Sequence, residues 1–418
     1  MLGNTLFYLG LAVSLTIGFM YFRDLGDVSQ MVLKVERKNM VRFIKNEKKY
    51  ITAGMIALAM MLVGHWMGGG PGWLYVLGVP AVTLLIIFLY VFPWVWVHVG
   101  LRNQQDTARY YSIEEAKEWV GPSAPVVVIE NNGHARAHPD SQIMRPHLAG
   151  NDNGLGGKDI VMTYCAMANL GIGYAPSVEG KRLDLEVLAQ HGNNLILRDN
   201  TTGEPIQHIY GIREADIDPD AEGMVCPLKP SLAMRPWPTF RMTFRAFQKA
   251  YPEGEVFLNK PSSNPFLRLF DMLTEITFGW GIGRQHQEAA PVMDNMSRFD
   301  DRLPNKAYVW GVTIGQDAVC WTDDFVVEHD FLVNATVGGR DLVVSYDPKF
   351  ESLGVWYNDS GQPVTRCDFW GESDRGRLER VETLRAGVFW HVWAEFFPET
   401  DINRLGAPEG KPAAMAAA

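Results

Sequence analysis

The hydrophobic pattern divides the chain into an apolar first quarter and a mixed remainder. Three runs without acidic or basic side chains occupy residues 2–22, 51–67 and 73–97 apart from one histidine. A bilayer core of about 30 Å takes roughly 20 apolar residues as a helix, so the first and third runs are long enough to span it. The second run, with 17 residues, is near the lower limit. The pattern therefore predicts a membrane anchor over residues 1–100 with transmembrane helices.

The segment between the first two runs predicts which side of the membrane each part occupies. Residues 23–50, interpreted as a basic loop, with a helix at the membrane interface over part of it as the alternative, carry eight basic residues against four acidic ones. Short loops with an excess of Lys and Arg remain in the cytoplasm. With three spans, the large C-terminal part is then cytoplasmic, in a multi-pass protein of the plasma or inner membrane. The alternative, a periplasmic or extracellular domain, follows if the first run lies flat or the second and third form a re-entrant pair.

Aromatic and basic residues near the ends of the runs are candidates for membrane contact. Trp and basic side chains concentrate at the level of the lipid headgroups. We therefore expect contact with the bilayer at Trp94, Trp96, Lys48 and Lys49. His98, just after the third run, is an ionisable residue at the end of a span, where functional residues are often found.

Beyond residue 100 the pattern changes to short runs rich in Val, Ile, Tyr or Trp, bounded by Gly, Asn, Asp or Pro. Helical periodicity is limited to residues 240–250 and 265–277. These features predict an α+β fold, with a β-rich, mainly antiparallel soluble domain that follows the transmembrane helices. The predicted strands lie at 125–130, 159–164, 194–198, 206–211, 308–314, 318–321, 342–346 and 353–357.

The soluble part divides into three segments. Residues 101–123 form a polar connector, in which Ser112 and Glu115 have the spacing of a helix capping box. The domain covers residues 124–405, and the Ala-, Pro- and Gly-rich residues 406–418 read as a disordered tail.

The segment 265–277 is amphipathic, and its apolar stripe can serve two purposes. We expect the stripe to pack on the domain core. The alternative is a surface helix that contacts lipid or a partner subunit. The stripe consists of Phe266, Leu267, Phe270, Leu273 and Ile276.

Net charge and cysteine spacing restrict the function further. The net charge of −10 argues against nucleic acid as a partner, because such surfaces are usually basic. The cysteines are widely spaced and form no C-x-x-C pair, so mostly free, buried thiols are expected, with two disulfides as the alternative. They are Cys165, Cys226, Cys320 and Cys367.

The densest group of possible metal ligands lies between residues 134 and 165. His134, His138, His147 and Cys165 stand there together with several methionines. Imidazole with thiolate or thioether suits copper, and imidazole with thiolate suits zinc. The tight ligand spacings of structural zinc sites do not occur, so scattered surface and core residues remain the alternative. Copper or zinc is the cofactor that this group would bind.

Cys165 is also the candidate nucleophile, with His147 as its base. The cysteine ends a predicted strand and precedes a turn, where neighbouring amides or a histidine can activate a thiolate. The sequence contains neither a G-x-S-x-G nucleophile elbow nor a P-loop. A buried, inert thiol is the alternative.

A series of motifs in the soluble part resembles the DUF3179 family, a domain of unknown function. Its members typically contain G-x-A-R-A-Y-P, W-H-E-I-V-N-D and V-T-Y-C-P-L-C-G in this order. The corresponding segments here are Gly133-His-Ala-Arg-Ala-His-Pro139, Arg145-Pro-His-Leu-Ala-Gly-Asn-Asp152 and Val161-Met-Thr-Tyr-Cys165. The resemblance continues through Asn194-Leu-Ile-Leu-Arg-Asp199 and ends at Phe389-Trp-His-Val-Trp-Ala-Glu-Phe-Phe-Pro398.

The resemblance implies candidate residues rather than an activity. His147, Asp152, Cys165 and Asp199 fall on family motif positions. Where the family pattern has two thiols in C-P-L-C, this chain has Cys165-Ala166-Met167-Ala168. A dithiol redox reaction is therefore not available from this motif, whereas a metal site of Cys, His and Met survives the change.

Three functions from different classes remain. The first is a non-catalytic accessory or scaffold subunit of a larger membrane complex, in contact with the bilayer and with other membrane subunits or a second copy of the chain. The second is copper or zinc handling, and the third is a Cys-dependent enzyme. The membrane segments and the missing second thiol favour the non-catalytic role.

Overall fold

Three helices packed side by side form the first part of the protein. The computed structural model describes residues 1–72, 77–107, 109–150, 154–217, 232–293 and 295–405. A 3-10 helix joins the first two helices, and a π-helical segment continues the third. Their bounds are α1 (Leu2–Leu25), the 3-10 helix (Asp27–Met31), α2 (Arg37–Trp66), α3 (Gly78–Trp94) and the π-helical segment (Val95–Leu101).

Small residues bring α1 and α2 together. A Cβ atom on Gly10 would lie 2.5 Å from the backbone of Ala57 and Met61, and one on Gly64 would lie 2.4 Å from the Phe7 amide nitrogen. The two backbones therefore touch, and a larger side chain at either glycine would separate them. Small residues at helix interfaces are typical of helices that pack within a membrane.

Large apolar side chains lie on the outside of the same helices. Two stretches, Leu2–Leu25 and Gly78–Leu101, are long and apolar enough to cross a membrane. The first four residues of the predicted third span, 73–76, are outside the described residues. The exposed side chains include Leu9, Val13, Phe19, Ile56, Val63, Trp66, Leu84, Phe88, Val91 and Trp94.

The interpretation of residues 23–50 as a loop is wrong for most of their length. Helix α1 continues to Leu25 and α2 begins at Arg37, so only a short segment is not α-helical. The basic first half of α2 lies along the soluble domain, where Arg37 pairs with Glu214 and Lys45 with Glu204. The basic residues of this segment, whose charge is typical of a solvated loop, are instead helical and have acidic partners in a distant part of the chain.

The soluble domain is α+β with mostly antiparallel sheets, as predicted. Two strand pairs, β3 with β15 and β17 with β25, are parallel. Five sheets of four or five strands and two short hairpins make up the domain. The five-stranded sheet has the order β1 (Arg109–Ser112), β15 (Glu255–Leu258), β3 (His134–Pro139), β2 (Pro125–Asn131) and β14 (Thr239–Thr243). The four-stranded sheets have the orders β12 (Ile212–Arg213), β11 (Pro205–Gln207), β10 (Asn194–Asp199) and β9 (Leu185–His191); β13 (Arg235–Trp237), β6 (Leu170–Ala175), β5 (Val161–Cys165) and β4 (Leu148–Ala149); β24 (Arg385–Phe389), β16 (Tyr308–Ile314), β17 (Asp317–Trp321) and β25 (Asp401–Asn403); and β18 (Leu332–Val337), β19 (Arg340–Asp347), β20 (Ser352–Tyr357) and β23 (Glu379–Arg380). The two short hairpins are β21 (Glu372–Ser373) with β22 (Gly376–Arg377), and β7 (Ser177–Val178) with β8 (Lys181–Arg182).

Helices in the domain are short, with one exception of 23 residues, α8. The helices are α4 (Arg102–Thr107), α5 (Ile113–Ala116), α6 (Asp140–Ile143), α7 (Phe244–Ala250), α8 (Pro265–Gln287), α9 (Asp323–Glu328) and α10 (Trp390–Phe396).

Further segments differ from the sequence-based expectation, among them the end of the predicted strand 206–211, where residues 208–211 form a turn. The connector 101–123 belongs to the fold, because β1 pairs with β15 and α5 begins with the predicted capping box of Ser112 and Glu115. The predicted helix 240–250 is a strand in its first part, where buried Phe240 and Met242 alternate with Arg241 at the period of a strand. The predicted disordered tail, 406–418, lies outside the described residues.

The domain packs directly onto the helices through the β9–β10 hairpin. Leu188, Ala189 and Ile196 of this hairpin belong to the same apolar cluster as Tyr21 and Phe43 of the helices. The N terminus and the glycine-rich turn lie together at the far end, because a Cβ atom on Gly3 would contact Gly64 and Gly69. The helices and the domain therefore share one core.

Candidate functional site

The turn between β5 and β6 carries the family motif and separates two cavities. Strand β5 ends at Cys165, and residues 166–169 form the turn. Helix α8 holds this turn from outside: Gln285 Nε2 donates to the Met167 carbonyl oxygen at 2.7 Å, and His286 Nε2 lies 2.9 Å from the Ala166 carbonyl oxygen. The cavity on one side is apolar, and the cleft on the other is polar.

Cys165 lies at the apolar side and is fully buried. Its Sγ donates to the Asn193 carbonyl oxygen at 3.5 Å, and it forms no disulfide. Cys320 and Cys367 also form none, and Cys226 lies outside the described residues. Burial in an apolar environment disfavours the thiolate that nucleophilic catalysis needs. The position of the Cys165 thiol therefore suits a metal ligand or a packing group better than a nucleophile.

His147 lines the same cavity as Cys165. It has a left-handed φ of 69°, which is uncommon for a residue other than glycine and concentrates at functional positions. Its Nδ1 is buried without a hydrogen-bond partner among the described residues. Burial lowers the pKa of His147 to about 4, so the imidazole is neutral at physiological pH.

The apolar cavity has a volume of about 60 Å³. Residues from seven separate segments line it, including two that belong to the helical part of the protein. Its aromatic wall is formed by Trp96, Phe278 and Trp280, and its sulfur-containing residues are Met31, Cys165, Met167 and Met293.

The structure does not bring all four predicted metal ligands together. His134 is exposed at the start of β3. His138 is fully buried, and both of its ring nitrogens are already bonded, to the Tyr110 hydroxyl at 2.8 Å and to the Val127 carbonyl oxygen at 3.2 Å. Only His147 and Cys165 share a cavity. Among the described residues, no three His, Cys, Asp or Glu side chains form a group that could hold a metal ion.

The two predicted acidic motif residues are not part of this cavity. Asp199 caps the turn after β10, where it accepts hydrogen bonds from the backbone of Asp184 and from the hydroxyl and amide of Thr202. Although burial acts in the opposite direction, these hydrogen bonds lower the pKa of Asp199. Asp199 is therefore a turn-stabilising residue, and Asp152 lies outside the described residues.

Of the four predicted membrane-contact residues, three are exposed and one is buried. Trp94, Lys48 and Lys49 are exposed on the helices. The expectation for Trp96 is wrong, because its ring is buried and stacks on Phe278 of α8 at a centroid distance of 5.4 Å. The approach of α8 to the end of the third helix could not be inferred from the local pattern.

Sequence reasoning did not identify the polar cleft on the other side of the turn. The cleft has a volume of about 580 Å³, within the roughly 300–1,000 Å³ of small-molecule sites. Asp140 pairs with Arg241, whose Nη1 also donates to the Asn169 carbonyl oxygen at 3.3 Å. Burial raises the pKa of Asp140 despite this pair. Other lining residues are Tyr164, Asn169, His286, Tyr308, Trp310, Asp323, Tyr346 and Glu351.

A second unpredicted group joins the helices to the domain. Glu47 of α2 and Glu186 of β9 are both bonded to His98 at 2.9 Å, and both accept from Arg198 of β10, at 2.5 and 2.9 Å. Tyr21 of α1 adds a hydrogen bond to Glu47 at 3.0 Å. Burial alone would raise the pKa of Glu47, but the hydrogen bonds and charges of His98 and Arg198 lower it to about 2. The local signals of this group are Arg198, which lies in a family motif, and His98, an ionisable residue just after the third run.

One comparison with known proteins found a match. A family model described as protein of unknown function (DUF3179) matches residues 100–400. A search of curated proteins and a search of solved structures each found no match. The matched region contains the polar cleft, the lining of the apolar cavity except Met31 and Trp96, and the domain half of the charged group.

Proposed function

The chain belongs to the DUF3179 family of proteins of unknown function, and from that premise we propose that it is an integral membrane protein and a non-catalytic accessory or scaffold subunit of a larger membrane complex. The three helices would span the plasma or inner membrane, with the domain on the cytoplasmic side. The lipid bilayer and other membrane subunits would be its partners.

The packing of the helices supports the membrane part of the proposal. Glycines lie at the contact of α1 and α2, whereas large apolar side chains such as Phe88 and Val91 face outwards. Exposed surface of this kind is unfavourable in water and matches the apolar interior of a bilayer. The second span would be the apolar part of α2, residues 51–66.

The charge distribution supports the cytoplasmic side. The basic first half of α2 lies at the end of the helices that carries the domain, since Arg37 and Lys45 pair with residues of the domain. The N terminus lies at the opposite end, near Gly64 and Gly69. If basic segments stay inside, the domain is cytoplasmic and the N terminus is outside.

The observation that carries the accessory role is the exposed face of α8. Instead of packing on the core as expected, Phe266, Leu273 and Ile276 are exposed, to 72%, 51% and 63%. Leu269, Met272 and Trp280 are exposed on the same face. The opposite face packs on the end of the third helix, where Phe270 lies against Gly100.

We assign this face to a partner subunit rather than to lipid headgroups. Several large apolar side chains exposed side by side on one helix face commonly mark an interaction surface. Helices that lie on anionic lipid usually have many Lys and Arg residues on the polar face. In α8, Arg268 and Arg284 are matched by Asp271 and Glu275, so the helix lacks such an excess.

Native sizing tests the accessory role. Gentle detergent extraction at physiological expression should yield a complex larger than the monomer, and Ile276→Asn should release the monomer because it places an amide in the apolar contact. Val327→Asn, on exposed helix α9 of the same domain, is the matched control and should leave the complex intact. A wild-type chain that is monomeric in nanodiscs would overturn the proposal, and insertion of the α8 face into lipid would then be detected by quenching of Trp280 fluorescence with brominated lipids.

Labelling of introduced cysteines tests the topology. In a Cys367→Ser background, Ser360→Cys should react with an impermeant maleimide only after the inner face is opened, and Trp66→Cys should react from outside. Both positions are exposed. The reverse pattern would place the domain outside the cytoplasm.

The polar cleft supports a second candidate function, the binding of a small cationic ligand. Aromatic rings line the cleft together with Asp323, while two further carboxylates of the lining are paired with arginines, Asp140 with Arg241 and Glu351 with Arg245. Aromatic faces and carboxylates are the usual recognition elements for ammonium groups. The rings are those of Tyr164, Tyr308, Trp310 and Tyr346.

A pair of matched ligands tests this candidate. Choline should raise the melting temperature of the full chain, and its uncharged isostere 3,3-dimethylbutanol should not. Tyr308→Ala should remove most of the shift, because Tyr308 is half exposed at the cleft and its ring is the most accessible. Equal shifts with both ligands would exclude recognition of the positive charge.

A further inference from the structure

The apolar cavity collects soft donor atoms from four parts of the chain. Cys165 and Met167 come from the turn after β5, and His147 precedes β4. Met31 ends the 3-10 helix between α1 and α2, and Met293 follows α8. Thiol, thioether and imidazole groups thus converge on a single cavity of about 60 Å³.

The remaining lining of the cavity restricts which ligand fits. Among the residues that the structure describes, no carboxylate lines it, and its polar side chains besides His147 and Cys165 are Gln190 and Thr277. Hard cations such as Mg²⁺ and Ca²⁺ require several oxygen ligands. Soft thiolate and thioether ligands select copper(I), zinc and iron–sulfur centres, and of these copper(I) is the one that thioether sulfur favours.

His147 provides an observation independent of the cysteine. Its side chain is 4% exposed, and its Nδ1 has no hydrogen-bond partner among the described residues. A buried polar atom without a partner is costly, and such atoms in native proteins usually have a specific role. Because His147 lines the cavity, its imidazole can serve as a ligand to an ion bound there.

We propose that the cavity binds one copper(I) ion through Cys165 and His147, with one or two thioether ligands drawn from Met167, Met293 and Met31. On binding, the copper–sulfur bond replaces the Sγ–H bond of Cys165, and the proton is released to solvent. Copper remains in its +1 state, so no electron acceptor is required. The proposal does not depend on the membrane complex suggested above.

The position of Met31 makes the anchor part of the site. Met31 and the aromatic wall residue Trp96 belong to the helical segments, whereas Cys165 belongs to the domain. The site is therefore complete only where the helices and the domain pack together. This arrangement explains how a chain without the second thiol of the family motif still assembles a set of soft ligands.

Competition for copper(I) in the full-length protein tests the proposal. The detergent-purified chain, reduced and kept without oxygen, should retain one equivalent of copper(I) against the chelator bathocuproine disulfonate. Cys165→Ser should weaken binding at least tenfold, because it removes the thiolate. Met167→Leu and Met293→Leu, which keep size and apolar character, should each weaken it several-fold. His147→Asn should also weaken it, and Asn tolerates the left-handed backbone at this position.

Matched variants outside the cavity separate a specific site from general thiol binding. Cys320 and Met162 are fully buried but do not line the cavity. Cys320→Ser and Met162→Leu should bind copper(I) like the wild type. Equal loss in Cys165→Ser and Cys320→Ser, or no retained copper in the wild type, would overturn the proposal, as would tighter binding of zinc(II). If Cys165→Ser does not fold, as judged by its melting curve, the leucine variants decide the question.

Discussion

In the helical part of the protein, glycines occupy the contact between helices and Leu, Phe, Val and Trp side chains lie outside, whereas in the β-rich domain the order is reversed. Gly10 and Gly64 touch neighbouring backbone in the first region, while Trp321 and Trp390 are among the largest fully buried side chains of the second. The two regions are thus folded for different surroundings. The difference teaches that burial must be interpreted against the solvent of each region, here proposed to be lipid and water.

Acid should produce the largest difference in stability between the helical part and the β-rich domain. Burial lowers the pKa of His138, His147 and His208 in the domain to about 3, 4 and 3. Above pH 6.5 these groups are neutral in both states, but as the pH falls towards 4 the unfolded chain binds protons that the folded domain cannot. Each histidine then costs on the order of 3 kcal/mol. We expect tertiary structure of the domain to be lost near pH 4 while helical circular dichroism persists.

Equal stability of the domain at pH 7.5 and pH 4.5, measured by urea unfolding in detergent, would contradict this expectation. Loss of helix and domain signals in a single transition would show that the two regions unfold together, and the comparison would then apply only to their packing.

Removal of Arg198 should have the next largest effect, because it acts at the junction of the regions. Arg198→Met leaves the carboxylates of Glu47 and Glu186 buried with His98 alone. Breaking a buried ion pair by removing one partner costs about 3–5 kcal/mol. The free energy of unfolding, measured with urea in detergent, should fall by an amount of this order.

The surface pair of Arg182 and Asp159 provides the control for the junction. Both side chains are about half exposed, at 49% and 45%, so Arg182→Met should cost less than about 1 kcal/mol. Similar losses in the two variants would mean that the junction is hydrated and contributes little. The double variant Arg198→Met with Glu47→Gln should recover part of the stability, because one unpaired carboxylate is then neutral.

The third largest effect on stability should come from a larger residue at the contact between α1 and α2. Gly10→Leu would force apart α1 and α2, since even a Cβ atom at this position lies 2.5 Å from the backbone of α2. Overpacking costs typically about 1–3 kcal/mol, and thermal unfolding followed at 222 nm should show a lower melting temperature. Gly72→Leu, which meets nothing within 4 Å, should leave the melting temperature unchanged. A tolerated Gly10→Leu would indicate that the helices do not need to touch.

The smallest effect on stability should come from substituting two exposed valines. Because one valine lies on each region, these substitutions compare the surroundings of the two regions directly. Val91 on α3 is 47% exposed and Val327 on α9 is 37% exposed. In lipid nanodiscs, Val91→Asn should lower stability by about 1 kcal/mol, because an amide moves from water to an apolar phase. Val327→Asn should stay within about 0.5 kcal/mol. Identical results for both valines would remove the support for α3 as a span.

Patterns of hydrophobicity determine much of what could be predicted. The apolar runs correspond to α1, the second half of α2 and α3, and the predicted strands at 125–130, 308–314 and 353–357 lie within β2, β16 and β20. Such patterns express burial of one segment against its surroundings. They therefore predict elements well, and they predict the mainly antiparallel α+β class from the shortness of the strands.

Contacts between distant segments could not be predicted in this way. Arg198 and Glu47 are 151 residues apart, and nothing local in either segment indicates the pair. The same limit affected the site: His147 and Cys165 do share a cavity, but its methionines Met31 and Met293 lie far outside the motif region. The expectation that the α8 stripe packs on the domain core was wrong for a related reason. An apolar periodicity predicts that a helix face is covered, but it does not predict what covers it.

The β9–β10 hairpin has a practical consequence for anyone who wishes to isolate the soluble domain. A chain shortened to residues after 100 would expose Leu188, Ala189 and Ile196, and it would leave Glu186 and Arg198 without Glu47 and His98. Such a fragment would present an adhesive surface that the intact protein never shows to water. Deletion of the helices would therefore report on aggregation rather than on activity, and biochemical work should begin with the whole chain in a lipid-like environment.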